Sequence, residues 1–243
     1  GLEGVMLRTV EQGRVPHLNL PRLRHHLDEA EMPVMAVSPG LFESSVFDTQ
    51  QWMNDLFLLD EVLTFTKKMN CPLIEVSAFS SPETPQERST AFKKAVQVLQ
   101  KAGDRAAKAQ TTLAVLNEEG SISATSTQLA ELLSQVNHPN VRAAWSPYTA
   151  MRLGEDIKTA TQRIAGMTES VRLRDGIIQP SGWKEKVLGT GDLNLPEILS
   201  VLHKTGFRGL FVQEVFTEPK GPTGLHSATA LIHLIRAITQ KTS

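Results

Sequence analysis

The sequence predicts an α/β fold, a TIM-type (β/α) barrel in which seven strands are recognisable and the first βα unit is lacking. Three observations lead there. Short β-branched runs alternate with long helical patterns from end to end. Most strand candidates are followed by a helix, as parallel strands joined by crossovers require. No Pro/Gly/Ser-rich linker divides the chain, so residues 1–243 read as a single domain.

The chain opens directly in a strand, GVMLRT (4–9). NLPRLRHHLDEAEM then starts a helix at Asn19, with Pro21 early in it, where a missing N–H costs nothing. PVMAVS (33–38) precedes a long helix, TQQWMNDLFLLDEVLTFTKKM, that follows the capping candidate Asp48. PLIEVSAF (72–79) leads to an amphipathic helix from Glu83 to Ala109, with an interruption or cap expected near Gly103. TTLAVLN (111–117), the helix STQLAELLSQV, VRAAWS (141–146) and SVRLRD (170–175) follow. After a loop, QPSGWKEK, come the helix NLPEILSVLHKTGF ending at Gly206, the strand GLFVQEVF (209–216) and the helix LHSATALIHLIRAIT. A full barrel needs eight strands. Either this one is open, or a neighbouring chain covers the exposed edge, and a homodimer through that edge is the partner expectation.

Composition removes several function classes. The 25 basic residues nearly cancel the 26 acidic ones, for a formal charge of −1, and no Lys/Arg stripe suits nucleic acid. No apolar run approaches the roughly 18 residues of a membrane span. The N-terminus lacks a basic segment followed by an apolar one, so the chain is expected to be soluble and cytoplasmic, although a signal removed before residue 1 would leave no trace. Cys71 is the only cysteine, which excludes an internal disulfide, a thiolate zinc site and a CxxC pair; it reads as a buried structural thiol. No HExxH occurs, and GTGD (189–192) lacks the Lys-Ser/Thr of a phosphate loop; its Asp192, with Asn194, serves a helix start.

Several segments together resemble the sugar phosphate isomerase/epimerase family, the xylose isomerase-like TIM barrels. GLEGVMLRT and TTLAVLN are similar to that family's second and fifth strands. VNHPNVRAAWSPYTA resembles its sixth-strand segment, and SVRLRDG with LGTGDLNLPEILSVLHKTGFRGLFVQEVF its seventh and eighth strands and the loop between. The resemblance implies a divalent metal held at strand ends by Glu, Asp, His and Glu. The matching positions here are Leu116, Ser146, Arg172 and Glu214, and Thr149 stands where the family has a neighbouring His. Leucine has no donor atom, serine is a poor neutral ligand and guanidinium repels a metal, leaving only Glu214. The site is therefore expected to be degenerate, with no cofactor; Mn, Mg, Zn or Co would need a different register, such as a slip of two that brings Glu118 to the position of Leu116.

The replacements have their own chemistry. Arg172 and Glu214 can form a charge-assisted pair that either neutralises a stranded carboxylate or, with Arg174 and Arg8, receives an anionic sugar, sugar acid or phosphate. Alternation puts Arg172 and Arg174 on one face, and Glu75 inward with Ser77. Glu75 is then either a general base or one half of a buried pair with an interior arginine such as Arg142. Asn117, Ser146 and Asp175 at the strand tips, with Tyr148 and Trp183 as cleft-facing sugar-stacking rings, complete the candidate ligand-binding set; Trp145 is expected to pack against helices. Three functions follow: a metal-free relative that binds a carbohydrate or anionic sugar derivative, with Glu214 and Glu75 as catalytic candidates; a metal-dependent isomerase or epimerase; and a non-catalytic scaffold.

Overall fold

A computed structural model describes residues 2–10, 13–180, 182–214 and 219–240. The chain enters at β1 (Val5–Leu7) and turns through a small hairpin, β2 (Thr9–Val10) and β3 (Gly13–Arg14). The expected alternation follows: α1 (Leu20–Glu29), β4 (Val34–Val37), α2 (Thr49–Met69), β5 (Leu73–Val76), α3 (Pro85–Lys108), β6 (Thr112–Leu116), α4 (Ser126–Val136) and β7 (Val141–Trp145). Two short helices, α5 (Pro147–Arg152) and α6 (Ile157–Ile164), lead to β8 (Thr168–Leu173). A second hairpin, β9 (Asp175–Gln179) and β10 (Gly182–Lys186), precedes α7 (Leu195–Lys204), β11 (Leu210–Gln213) and α8 (Lys220–Gln240).

Seven strands form one sheet in the order β1-β4-β5-β6-β7-β8-β11. Each pairing in it is parallel, and the sheet forms a nearly closed barrel whose seam lies between the edge strands β1 and β11. A cavity of about 760 Å³ follows this seam, lined by both strand edges and by Ala228, Leu231 and Ile235 of α8. No described helix is long and apolar enough to cross a membrane.

Helix starts follow their caps. The side chains of Asn19, Asp48 and Asn194 accept from the backbone N–H of Arg22, Gln51 and Glu197, and Thr125 with Gln128 forms a capping box at α4. Asn194 thus has the expected role, whereas Asp192 accepts from the N–H of Ile178 in the second hairpin. Gly206, at φ +75°, stands just beyond α7. The stretch read as the loop QPSGWKEK is largely a strand: Gly182 to Lys186 pair antiparallel with Gln179 to Asp175. Ser181 of that stretch, and Val215 and Phe216 of GLFVQEVF, lie outside the described residues. The terminal helix begins at Lys220, ahead of the apolar pattern, while α5 and α6 were not foreseen.

Apolar side chains on the outer face of the sheet, among them Ile74, Val76, Leu113, Val115, Trp145, Val171 and Leu173, share one core with Leu59, Leu99, Leu129, Ile164 and Leu199 of the helices. Each such side chain contributes about 1.5–3 kcal/mol on burial, so this layer dominates stability. The helix α3 does not break at Gly103; it passes through it. A Cβ there would lie 2.7 Å from Val141 Cγ2 and 2.8 Å from His138 Cγ, so glycine lets α3 approach β7. Replacing Gly103 by Ala should therefore destabilise the protein by about 1–3 kcal/mol of overpacking, outweighing the roughly 1 kcal/mol gain in helix propensity. Urea unfolding of G103A checks this, and an unchanged or raised midpoint would contradict the packing account.

Candidate active site

The inside of the barrel is lined by small and aliphatic residues, Ala36, Leu73, Ala114, Leu116 and Ala144. The alanines leave space that two long charged side chains fill. Glu75 projects inward from β5 and is 1% exposed; Arg172 projects inward from β8 and is 8% exposed. Arg172 Nε donates to Glu75 Oε2 at 2.5 Å, and Ser170, also on β8, donates to Glu75 Oε1 at 2.6 Å. β6 and β7 separate β5 from β8 in the sheet, so this pair crosses the barrel interior. Arg172 Nη1 reaches Glu214 Oε1 at 3.3 Å just past β11, and Nη2 donates to the hydroxyl of Ser38 past β4 at 3.1 Å. The pairing of Arg172 with Glu214 is as the sequence predicts. Glu75 is one half of a buried pair with an interior arginine, but that arginine is Arg172 and not Arg142, which lies near the opposite end of its strand and donates to the carbonyl of Gly166 at 2.7 Å.

Burial works to lower the pKa of Arg172, but the carboxylates of Glu75 and Glu214, helped by Glu118, overcome it and hold the guanidinium above its ordinary value. Glu214 is raised above 4.5, chiefly by burial; the positive charges of Arg172, Arg174 and Arg8 pull the other way without prevailing. A carboxyl group held back from ionising at a barrel mouth is a proton-transfer candidate.

Other predicted residues prove to be committed elsewhere. Asn117 is fully buried and spans the ends of β6 and β7, accepting from Ser146 N at 2.6 Å and donating to Ser146 O at 3.0 Å. It ties the two strand ends together. Ser146 caps α5, its hydroxyl accepting from Thr149 N at 3.4 Å and Thr149 Oγ1 at 3.1 Å. The carboxylate of Asp175 accepts from the N–H groups of Gly176, Gly189, Gly191 and Leu193 and so gathers the GTGD loop. Arg174 makes a two-bond pair with Glu185, both at 3.1 Å, and lies 4.3 Å over the ring of Tyr148. Trp183 meets that ring edge-on at 4.7 Å and donates Nε1–H to Glu185. Tyr148, 8% exposed, therefore offers no open face to a sugar, whereas Trp183 stays half-buried. Trp145 packs among the helices as expected.

A cleft of about 10 Å³, the space of one water, opens at the strand tips between Arg8, Ser38, Gly40, Glu43, Glu75, Ser77, Leu116, Glu118 and Arg172. The far larger seam cavity is mostly apolar and meets this chemistry only at Glu214, so the polar mouth is the candidate site. Glu118, which sequence reasoning set aside, reaches the mouth and accepts from the hydroxyl of Ser77. Its signal was the acidic pair that ends TTLAVLNEE; Glu43 and the hairpin residue Arg14 carried none.

The implied metal site fails on chemistry. Leu116 offers no donor, Ser146 is occupied as a helix cap, Arg172 is a cation, and only Glu214 can ligate. Among the described residues no group of three or more His, Cys, Asp or Glu is placed to hold a metal ion. Burial pushes the Cys71 thiol up to about 11, consistent with a structural role.

Residues 1–238 match the model of the xylose isomerase-like TIM barrel. The chain belongs to this family. Solved structures share the xylose isomerase-like fold: a D-tagatose 3-epimerase-like protein (TM-score 0.84, 13% identity, covering 100% of this chain and 92% of the other) and an L-ribulose 3-epimerase (0.79, 15%, 100% and 87%). A xylose isomerase-like TIM barrel protein from Mycobacterium smegmatis, in complex with magnesium, aligns at 0.72 with 14% identity over 90% of this chain and 78% of the other. No curated protein matches the sequence itself.

Two predictions follow from the buried charges. Arg172→Met or Glu75→Gln alone should each cost about 3–5 kcal/mol by stranding a buried partner, and the double variant should cost clearly less than their sum. A double-mutant cycle in urea measures this, and simple additivity would refute the coupling. For Glu214 the folded-state pKa lies above the unfolded one. The fold therefore binds its proton more tightly, and the ionised form destabilises as pH rises from about 4.5 through the folded value. Glu214→Gln removes that penalty while Glu75 keeps Arg172 paired. Its melting temperature should gain on wild type as pH increases from 4 to 8; a gap that narrows over that range would sink the assignment.

Proposed function

We propose that this chain binds a carbohydrate or an anionic sugar derivative at the C-terminal mouth of its barrel, and that it does so without a divalent metal. One observation carries the reading: the Arg172 guanidinium sits between Glu75 and Glu214, and the sequence resemblance matches Arg172 to the family's metal-ligating imidazole. A fixed cation with carboxylates and hydroxyls around it, Ser38, Ser77 and Glu118 among them, offers the donors and acceptors that sugar hydroxyls require. The fold likeness to epimerases supports the substrate class.

Where turnover occurs, Glu214 is the group to move a proton at a carbon beside a carbonyl, because burial keeps its proton affinity high. Glu75, held by Arg172 and Ser170, is a positioning residue. A second reading, a metal-dependent isomerase or epimerase, draws on the entry of Glu118 into the same mouth as Glu214. Metal analysis of protein purified without chelator, with calorimetric titration of Mn, Mg, Zn and Co salts, separates the two. Less than a tenth of an equivalent of bound metal and no titration heat are expected; stoichiometric metal would transfer support to the isomerase reading.

A further inference from the structure

The two arginines that look most suited to an anion are already neutralised. Arg172 is shared by Glu75 and Glu214, and Arg174 is held by Glu185 in two bonds. A different pair stands on the rim. Arg8, directly after β1, and Arg14, in β3, both turn to Glu43 and approach the same oxygen: Nη2 to Oε1 is 3.6 Å for Arg8 and 3.5 Å for Arg14. Their side chains are 56% and 47% exposed, and that of Glu43 48%. Each guanidinium carries five N–H donors, and one carboxylate oxygen at these distances cannot satisfy ten. Exposed pairs of this kind contribute little, so Glu43 gives up either arginine readily.

Arg14 lies over the backbone of Gly40. Gly40 has φ +74°, and a Cβ on it would fall 1.5 Å from Arg14 Nη2. Only a residue without a side chain lets the guanidinium lie there. Arg8, Gly40 and Glu43 also line the same cleft as Arg172 and Glu118, so the rim pair adjoins the floor on which a sugar would lie.

We infer that Arg8 and Arg14 form an anion seat for the charged end of the sugar derivative, a phosphate ester or carboxylate that both guanidiniums grip as Glu43 is displaced. The inference rests on the carbohydrate reading of this mouth and narrows its substrate class to anionic sugars. Two planar forks converging on one group match the oxygens of a phosphate, with charge-assisted bonds about twice as strong as neutral ones. Glu43 opposes the incoming charge, as do Glu118 and the Glu75 and Glu214 carboxylates on the floor, while Arg172 favours it.

Calorimetry at low ionic strength with inorganic phosphate, D-ribose 5-phosphate, D-ribose and D-gluconate tests the seat in wild type, R8Q, R14Q and E43Q. Ribose 5-phosphate should bind at least tenfold tighter than ribose, and inorganic phosphate should bind alone. R8Q and R14Q should each cut that ratio about tenfold, and E43Q should tighten phosphate several-fold, which a purely structural role for these residues would not produce. Gluconate matching the phosphate ester would support the seat with a carboxylate as its natural group; gluconate no tighter than ribose would support it with phosphate. Inorganic phosphate that fails to bind, or binds equally to R8Q and R14Q, overturns the seat even where ribose binds. Arginine-dependent phosphate binding without any sugar affinity would keep the seat and remove the carbohydrate reading.

Discussion

The interior of this barrel is organised around one ion pair, Arg172 to Glu75, drawn across the lumen from β8 to β5. Two charges at 8% and 1% exposure are costly to hold away from water, and the surroundings supply what makes it tolerable. Ser170 completes one carboxylate oxygen, Ser38 and Glu214 take the remaining face of the guanidinium, and Ala36, Ala114 and Ala144 keep the lumen narrow but empty enough to admit both chains. Arg172 thus links the loop after β4, the strand β5 and the end of β11, three parts of the barrel wall that share no direct pairing with one another except β4 with β5.

A guanidinium in that position changes what the mouth can do. A bound metal ion exchanges, takes up oxygen ligands in several directions and can leave; Arg172 is covalently fixed, planar and permanently charged. Its charge is shared by carboxylates within the protein, and at Glu214 burial outweighs the attraction of Arg172 and raises the proton affinity. The floor is consequently a hydrogen-bonding surface with a reluctant acid in it, and unspent positive charge is found on the rim, at Arg8 and Arg14, where the partners are solvent-exposed and weakly held.

The alternation of strands and helices, the caps at Asn19, Asp48 and Asn194, and the inward direction of Glu75 and Arg172 were legible in the sequence because period and capping chemistry are local. What was not legible depends on distant contacts. Alternation shows that Glu75 points inward but not which arginine it meets, since it puts Arg142 and Arg172 on the same face of the sheet, and only their height along the strands distinguishes them. Asp175 resembles a ligand residue until the GTGD backbone folds over it, and Tyr148 resembles a stacking platform until Arg174 and Trp183 cover it. Gly103 carried the opposite signal from its role, because helix propensity registers a defect where packing against β7 demands the absence of a side chain.

The stretch from Val141 to Ala150 ties these levels together. At the strand tip the Ser146 hydroxyl caps α5 and accepts from Thr149, and Asn117 holds the Ser146 backbone against the end of β6. The tip gains helix-start and strand-end bonds of the ordinary neutral kind and contributes no charge to the mouth. With Ser146 and Thr149 at this strand tip, the polarity of the mouth comes from elsewhere in the ring of loops. It comes from β8 and β11 for the floor, and from the segment after β1 with the β2–β3 hairpin for the rim. The polar groups of this mouth thus come from strand ends and loops other than the tip of β7.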